Sequence, residues 1–191
     1  MRPPNLKWPV ILASGSPRRR ELLASLGVEF TVVSPEVDET QLADEAPAAT
    51  AARLARDKAF AVFDAHDDSL VIAGDTVVEL DGESLAKPTD AADAARMLSL
   101  LSGRTHRVTT ALVLRWPKGF QAIQDTTEVT FRELTATEIE SYVATGEPLD
   151  KAGGYAIQGG ARKFVTEIRG SESNVIGLPI ELLQDALRDV R

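Results

Sequence analysis

VILASGSPRRRELL (residues 10–23) reads as a strand that turns directly into a helix. The apolar run Val10 to Ala13 ends at Ser14-Gly15-Ser16, Ser16 can cap a helix, and Pro17 carries the fixed φ favoured at the first helical position. Leu22, Leu23 and Leu26 continue at helical spacing. Arg18, Arg19 and Arg20 then fall in the first turn, where the helix macrodipole opposes positive charge. An anion belongs there: free N–H groups at a helix start attract one, and guanidiniums supply forked donors that match phosphate oxygens. Successive helical residues lie about 100° apart, so three arginines cannot share one ligand. Arg18 and Arg19 are expected to face it. Taken alone, the run also suits a surface helix with a solvated basic end.

Working outward, residues 30–33 read as a strand, 34–47 as an acidic loop and 48–65 as an alanine-rich helix. Residues 70–80 form an apolar strand closed by the turn Asp81-Gly82, with 83–85 leading away, and 90–101 a helix stopped near Gly103. Residues 106–116 and 122–134 flank Pro117-Lys118-Gly119 and predict a long antiparallel hairpin. A helix follows over 135–144, capped by Thr135 or Thr137. Then come a glycine-rich stretch (153–160), a strand near 164–168 and a closing helix over 179–190. Strands and helices mix without strict alternation, which predicts a mixed sheet with helices on its faces.

A chain of 191 residues, 43% hydrophobic, can bury a substantial core. Its formal charge of −8 argues against broad nucleic-acid or membrane-surface binding, so any phosphate site is local. With no cysteine, a metal would be held by oxygen ligands or the two histidines, and oxygen ligands favour Mg²⁺ or Mn²⁺. The opening MRPPNLKWPVILASGSP has too short an apolar run for a signal peptide, and no segment approaches a membrane span, so a cytoplasmic protein is expected.

Asp75 interrupts the apolar VIAGDTVVEL, and a carboxylate there is costly without a cation or donors. It suits metal binding or base chemistry; the plainer reading is a strand-end Asp paired with a structural Arg or an N–H. Glu39, in the acidic loop, is a second carboxylate that by itself defaults to solvent, as do Lys58 and Lys87. In DKAGGYAIQG, the glycines at 153 and 154 allow backbone to approach a ligand, and Gln158 offers both donor and acceptor to a base edge. Asn174 with Gly177-Leu178-Pro179 suits a phosphate- or base-side loop or the cap before the last helix, and the cap is the preferred reading. His66 and His106 have no metal-ligand spacing.

Together, SGSPRRRELL, VDET, RLARDKA, AGDTVV, KPTD, LSGRTHRV, EPLDKAGGYAIQG and SNVIGLP resemble the Maf family of nucleoside triphosphate pyrophosphatases, from about Ile11 to the last helix. The resemblance implies a single domain over residues 1–191, with 1–9 as a short extension. Its fold would be an α/β, inosine-triphosphatase-like one: an elongated mixed sheet flanked by helices, with a cleft between two lobes. The implied reaction is metal-assisted attack of water on the α-phosphorus of a nucleoside triphosphate, giving the monophosphate and pyrophosphate. Asp75 matches the family's proton acceptor, and Glu39, Lys58, Lys87 and Arg19 match its charged cleft. Asp75 and Glu39 are the implied ligands of Mg²⁺ or Mn²⁺, and Ser14, Arg18, Thr76 and Gln158 the substrate-binding and specificity positions.

One branch of that family prefers dTTP and UTP. Another prefers 7-methyl-GTP and tends to carry tryptophan, glutamine and glutamate where this chain has Arg18, Thr76 and Gln158, a set suited to a cationic purine. A glutamine can satisfy the O4 and N3–H edge of thymine or uracil, whereas a carboxylate brings O4 no proton. The resemblance therefore implies a dTTP and UTP pyrophosphatase, with a 7-methyl-GTP pyrophosphatase or a non-catalytic nucleotide-binding regulator of cell division as alternatives. It also implies a homodimer with a nucleotide as its ligand, and neither nucleic acid nor membrane as a partner.

Overall fold

Leu70–Leu80, almost wholly apolar, forms the strand β3 that organises the molecule. The computed structural model describes residues 6–190; residues 1–5 of the expected N-terminal extension lie outside the described residues. In chain order the other elements are β1 (Val10–Ala13), α1 (Pro17–Ser25), β2 (Thr31–Val33), α2 (Pro47–Phe63), β4 (Glu83–Leu85), α3 (Ala91–Leu101), β5 (Thr105–Trp116) and β6 (Gly119–Phe131). They are followed by α4 (Ala136–Val143), three short 3₁₀ turns, β7 (Val165–Arg169), α5 (Glu172–Ile176) and α6 (Ile180–Asp189).

The sheet has the order β2-β1-β3-β5-β6-β7, with β4 beside β3. The β2, β1 and β3 strands are parallel, and all other pairings are antiparallel. On the edge of β3 away from β5, β1 pairs with Leu70 to Ala73 and β4 with Val78 to Leu80. Residues 74–77 therefore have no strand on that edge. A cleft opens there, just beyond the carboxyl end of a parallel strand, where α/β sheets commonly bind ligands.

β3 and β5 run through two lobes. In the first, Leu12, Ile72 and Leu112 pack with Leu23 of α1 and Leu183 and Leu187 of α6. On the opposite face Ile11, Ala73 and Val113 pack with Ala51, Ala55 and Ala59 of α2. Strands buried on both faces read as continuous apolar runs. The second lobe gathers Val78, Val108, Val129 and Phe131 with Leu98, Ile139 and Phe164. Leu6 and Trp8 pack against the first lobe. Among the described residues no helix is long and apolar enough to cross a membrane.

The elongated mixed sheet and two-lobed α/β architecture are as expected, with local differences. The hairpin turn is only Pro117-Lys118, with Trp116 opposite Gly119, so β6 starts earlier than the expected residue 122 and ends at Phe131 rather than near 134. After Phe131 the Arg132 N–H turns to the Phe164 carbonyl and the Leu134 N–H to Ser102 Oγ, which leads the chain off the sheet. Asp81 and Gly82 both have positive φ, as the two-residue β3–β4 hairpin requires.

Candidate active site

Ser16 caps α1, its Oγ accepting from the Arg19 N–H at 3.4 Å, and Pro17 occupies the first turn. This start directs Arg19 into the gap beside β3. Its guanidinium donates from Nε to the Gly177 carbonyl (2.8 Å), from Nη2 to Thr76 Oγ1 (2.8 Å) and from Nη1 to Ser14 Oγ (3.2 Å). Gly74, beside Arg19, lets β5 pack closely on β3: a Cβ there would lie 2.6 Å from Leu112 Cδ2 and 3.2 Å from the Ala111 carbonyl oxygen. Burial lowers the Arg19 pKa, helped by the charge of Arg18 and opposed by the carboxylates of Asp75 and Glu39. Arg18 also lines the cleft, whereas Arg20 is exposed.

Lys58 lies in the buried stripe of α2 with Leu54, Ala55, Ala59 and Val62, and is only 6% exposed. The helix face that packs on β3 thereby delivers a lysine amine to the cleft. Its Nζ is 2.7 Å from Asp75 Oδ1 and 2.8 Å from Glu39 Oε1. Burial pushes the Glu39 carboxyl up, but the hydrogen bond and charge of Lys58, with the charges of Lys87 and Arg19, outweigh it and hold the pKa below the ordinary value. The loop bearing Glu39 is pinned by Arg53, whose Nε and Nη2 each donate to Glu45 at 2.8 Å while Nη2 also reaches the Thr40 carbonyl at 3.1 Å. The Arg53 hydrogen bonds hold the Glu45 carboxyl down to about 2.

Lys87 and Gln158 line the opposite wall and are exposed. The segment bearing Gln158 is braced from behind. The Ala156 N–H donates to the Tyr142 hydroxyl at 3.0 Å, and the Gly160 N–H to Glu147 Oε2 at 2.9 Å. Gly153 (φ +71°) lets this segment close on β3, since a Cβ there would lie 2.9 Å from Val78 Cγ1. All nine residues singled out from the sequence, Ser14, Arg18, Arg19, Glu39, Lys58, Asp75, Thr76, Lys87 and Gln158, line one cavity of about 700 Å³. Lys58 and Glu39, each assigned to solvent when read singly, meet in the cleft, where the Lys58 ammonium sits between the carboxylates of Glu39 and Asp75.

A family model described as Maf-like protein matches residues 9–190. The chain belongs to the Maf family. It is 50% identical over 178 residues to the dTTP/UTP pyrophosphatase of Bacillus cytotoxicus, covering 93% of each chain. It is 51% identical over 187 residues to that of Salmonella typhimurium (94% of this chain, 95% of the relative). The Moorella thermoacetica dTTP/UTP pyrophosphatase is 49% identical over 180 residues, 93% of each.

In this Maf chain the cleft also rests on Asn174 and Thr110, neither of which is among the nine. Asn174 was expected to cap the last helix; instead Pro179 precedes α6, and Asn174 sits inside α5, fully buried. Its Nδ2 donates to the Val108 carbonyl and to Thr127 Oγ1, both at 2.9 Å, and its Oδ1 accepts from the Thr110 N–H at 3.2 Å. Bridging a carbonyl and an N–H two residues apart, the side chain meets β5 as a backbone amide would. Thr110, also fully buried, links this contact to Thr76. A polar Thr109-Thr110 pair in the middle of an apolar strand was the available signal.

Proposed function

We propose that this protein hydrolyses dTTP and UTP to the monophosphate and pyrophosphate. The observation that carries the reading is one cleft with Lys58 held between Glu39 and Asp75, guanidiniums from the start of α1 beside it, and Gln158 across from them. The names of the relatives, about 50% identical over nearly the whole chain, support it.

In this reading Arg18, Arg19 and Lys87 receive the phosphate chain, neutralising charge that grows as the leaving group departs. Lys58 lowers the Glu39 pKa and fixes both carboxyl groups in place. A bond forms between a water oxygen and the α-phosphorus, the bond from that phosphorus to the bridging oxygen breaks, and Asp75 is placed to receive the water's proton. Asp75 meets Lys58 through Oδ1 alone, which leaves its other oxygen available.

The donors fit Mg²⁺ or Mn²⁺. Such hard cations commonly take one or two carboxylates and complete their shells with substrate phosphates and water. Among the described residues no group of three or more His, Cys, Asp or Glu side chains is placed to hold a metal. Asp75 and Glu39 would hold the ion. When bound it supplies further neutralisation of the phosphates and lowers the pKa of water. Gln158 in place of a carboxylate favours a neutral pyrimidine over a cationic 7-methylguanine. We further place the protein in the cytoplasm, as a homodimer acting on free nucleotides.

The test is pyrophosphate release with Mg²⁺ or Mn²⁺ from dTTP, UTP, CTP, GTP and 7-methyl-GTP. The expected result is preference for dTTP and UTP, with Asp75→Asn lowering kcat by about 10² to 10³. Turnover centred on 7-methyl-GTP would overturn the specificity. Tight binding without release would make the protein a nucleotide-binding regulator.

A further inference from the structure

The hydrogen bonds that hold Arg19 form a chain whose polarity is fixed at both ends. A guanidinium can only donate and a backbone carbonyl can only accept. Arg19 Nη2 reaches Thr76 Oγ1 at 2.8 Å, Thr76 Oγ1 lies 2.9 Å from Thr110 Oγ1, and Thr110 Oγ1 donates to the Asn174 carbonyl at 2.9 Å. Each hydroxyl has one proton. The Thr110 proton is committed to Asn174, so between the two hydroxyls Thr76 is the donor, and Thr76 in turn accepts from Arg19. All protons thus run one way, from Arg19 through both threonines to α5. The same helix closes the loop, because the carbonyl of Gly177 at its C-terminal end receives Arg19 Nε at 2.8 Å.

We infer that Thr110 and Asn174, which do not themselves line the cleft, are positioning residues that set the Arg19 fork for the phosphate chain. The inference rests on the proposed role of Arg19 in binding phosphate. It also redefines Thr76, whose only proton is engaged inside the protein. Thr76 has one lone pair to offer a nucleotide and no hydrogen to donate, so it acts on substrates chiefly by holding Arg19. The Asn174 side chain fixes the register of the arrangement: its amide grips Val108, Thr110 and Thr127 on β5 and β6, and its own N–H is capped by Ser171 Oγ at 3.3 Å.

The experiment is a double-mutant cycle between Thr110 and Arg19, with a conservative rescue. Thr110→Val keeps the buried shape and removes the hydroxyl; Thr110→Ser keeps the hydroxyl. Thr110→Val is expected to lower kcat/KM by about five- to tenfold, the scale of one hydrogen bond, and by the same factor for dTTP and UTP, because the phosphate chain is common to both. Thr110→Ser is expected to stay within about twofold of wild type, and Thr110→Val added to Arg19→Ala to cost less than about twofold more. A full Thr110→Val cost in the Arg19→Ala background, a cost that depends on the base, or failure of serine to rescue overturns the inference. If Thr110→Val does not fold, Thr76→Val cuts the chain one link nearer Arg19 and enters the same cycle. If the wild-type protein hydrolyses no triphosphate, the proposed activity fails separately. Calorimetric affinity for inorganic pyrophosphate, measured over the same four chains, then decides the inference: coupling upholds it and additivity overturns it.

Discussion

The two walls of the cleft are built on different plans. On the wall formed by α1, α2 and β3, Arg19, Lys58, Asp75 and Thr76 all have protein partners, and the buried core behind them is aliphatic apart from Phe63. On the opposite wall Lys87 and Gln158 are exposed. The core behind that wall is aromatic, with His106, Phe131, Tyr142, Tyr155 and Phe164 in edge-to-face contacts. The first wall is fixed before any ligand arrives, so it costs little reorganisation during a reaction. The second presents side chains that must find their partners on the ligand. Under the proposed function, this difference puts the groups that activate water on the first wall, while the second offers Lys87 to the phosphates and Gln158 to the base.

The largest effect should come from breaking the first wall at its centre. Lys58→Met leaves Glu39 and Asp75 facing each other without the cation between them. The expected result is a fall in kcat of about 10² to 10³, since such a group stabilises charge in a site partly closed to water. Lys58 also lowers the Glu39 pKa, so its loss raises it and should move the acid limb of the pH–rate profile to higher pH. Near-normal kcat with an unmoved limb would show that the bridge serves only to pack α2.

How much of this arrangement could be read in advance depended on distance along the chain. The β1–α1 turn, the Asp81-Gly82 hairpin and the odd carboxylate at Asp75 are local features, and their residue types carry the explanation. The Lys58 bridge is not local. Its lysine appears among ordinary helix formers, and only the docking of α2 on β3 shows that it faces inward. Asn174 lay further out of reach. The segment SNVIGLP has the composition of a helix cap, and nothing in it reveals that the amide crosses to strands 47 to 66 residues earlier. The arginine run was legible in kind but not in detail. Angular spacing singled out Arg18 and Arg19, while the three acceptors that fix the Arg19 fork come from three separate segments.

The second wall should break through its core at low pH. His106 Nε2 lies 2.7 Å from the Tyr155 hydroxyl, its Nδ1 is buried without a partner, and burial lowers its pKa from 6.5 to about 4. Above the unfolded value both states are neutral and the stabilisation is complete. As the pH falls below 6.5 the unfolded chain takes up a proton that the folded protein refuses, so stability declines until the folded pKa is passed. The slope is about 1.4 kcal/mol per pH unit, for a total of roughly 3 kcal/mol. Denaturant unfolding of the wild type and of His106→Gln, compared between pH 7 and 4.5, should show the wild type losing its advantage as the pH falls. Parallel curves would mean that the ring titrates normally in the core.

The smallest effect should lie at Gln158, where the two walls can be told apart most directly. Its side chain is exposed, so Gln158→Ala should leave stability within about 0.5 kcal/mol of wild type. If the amide reads the base edge equally in the ground and transition states, removing it raises KM for dTTP and UTP by about tenfold and leaves kcat almost unchanged. Gln158→Glu should be worse for both substrates, because it adds a negative charge facing the O4 acceptor and removes the N–H that could meet it. This pattern is the opposite of that expected for Lys58→Met, which acts on kcat. Should Gln158→Ala lower kcat as much as kcat/KM, the amide would be engaged only in the transition state. The second wall would then share in the chemistry, and the separation of tasks between the walls would not hold.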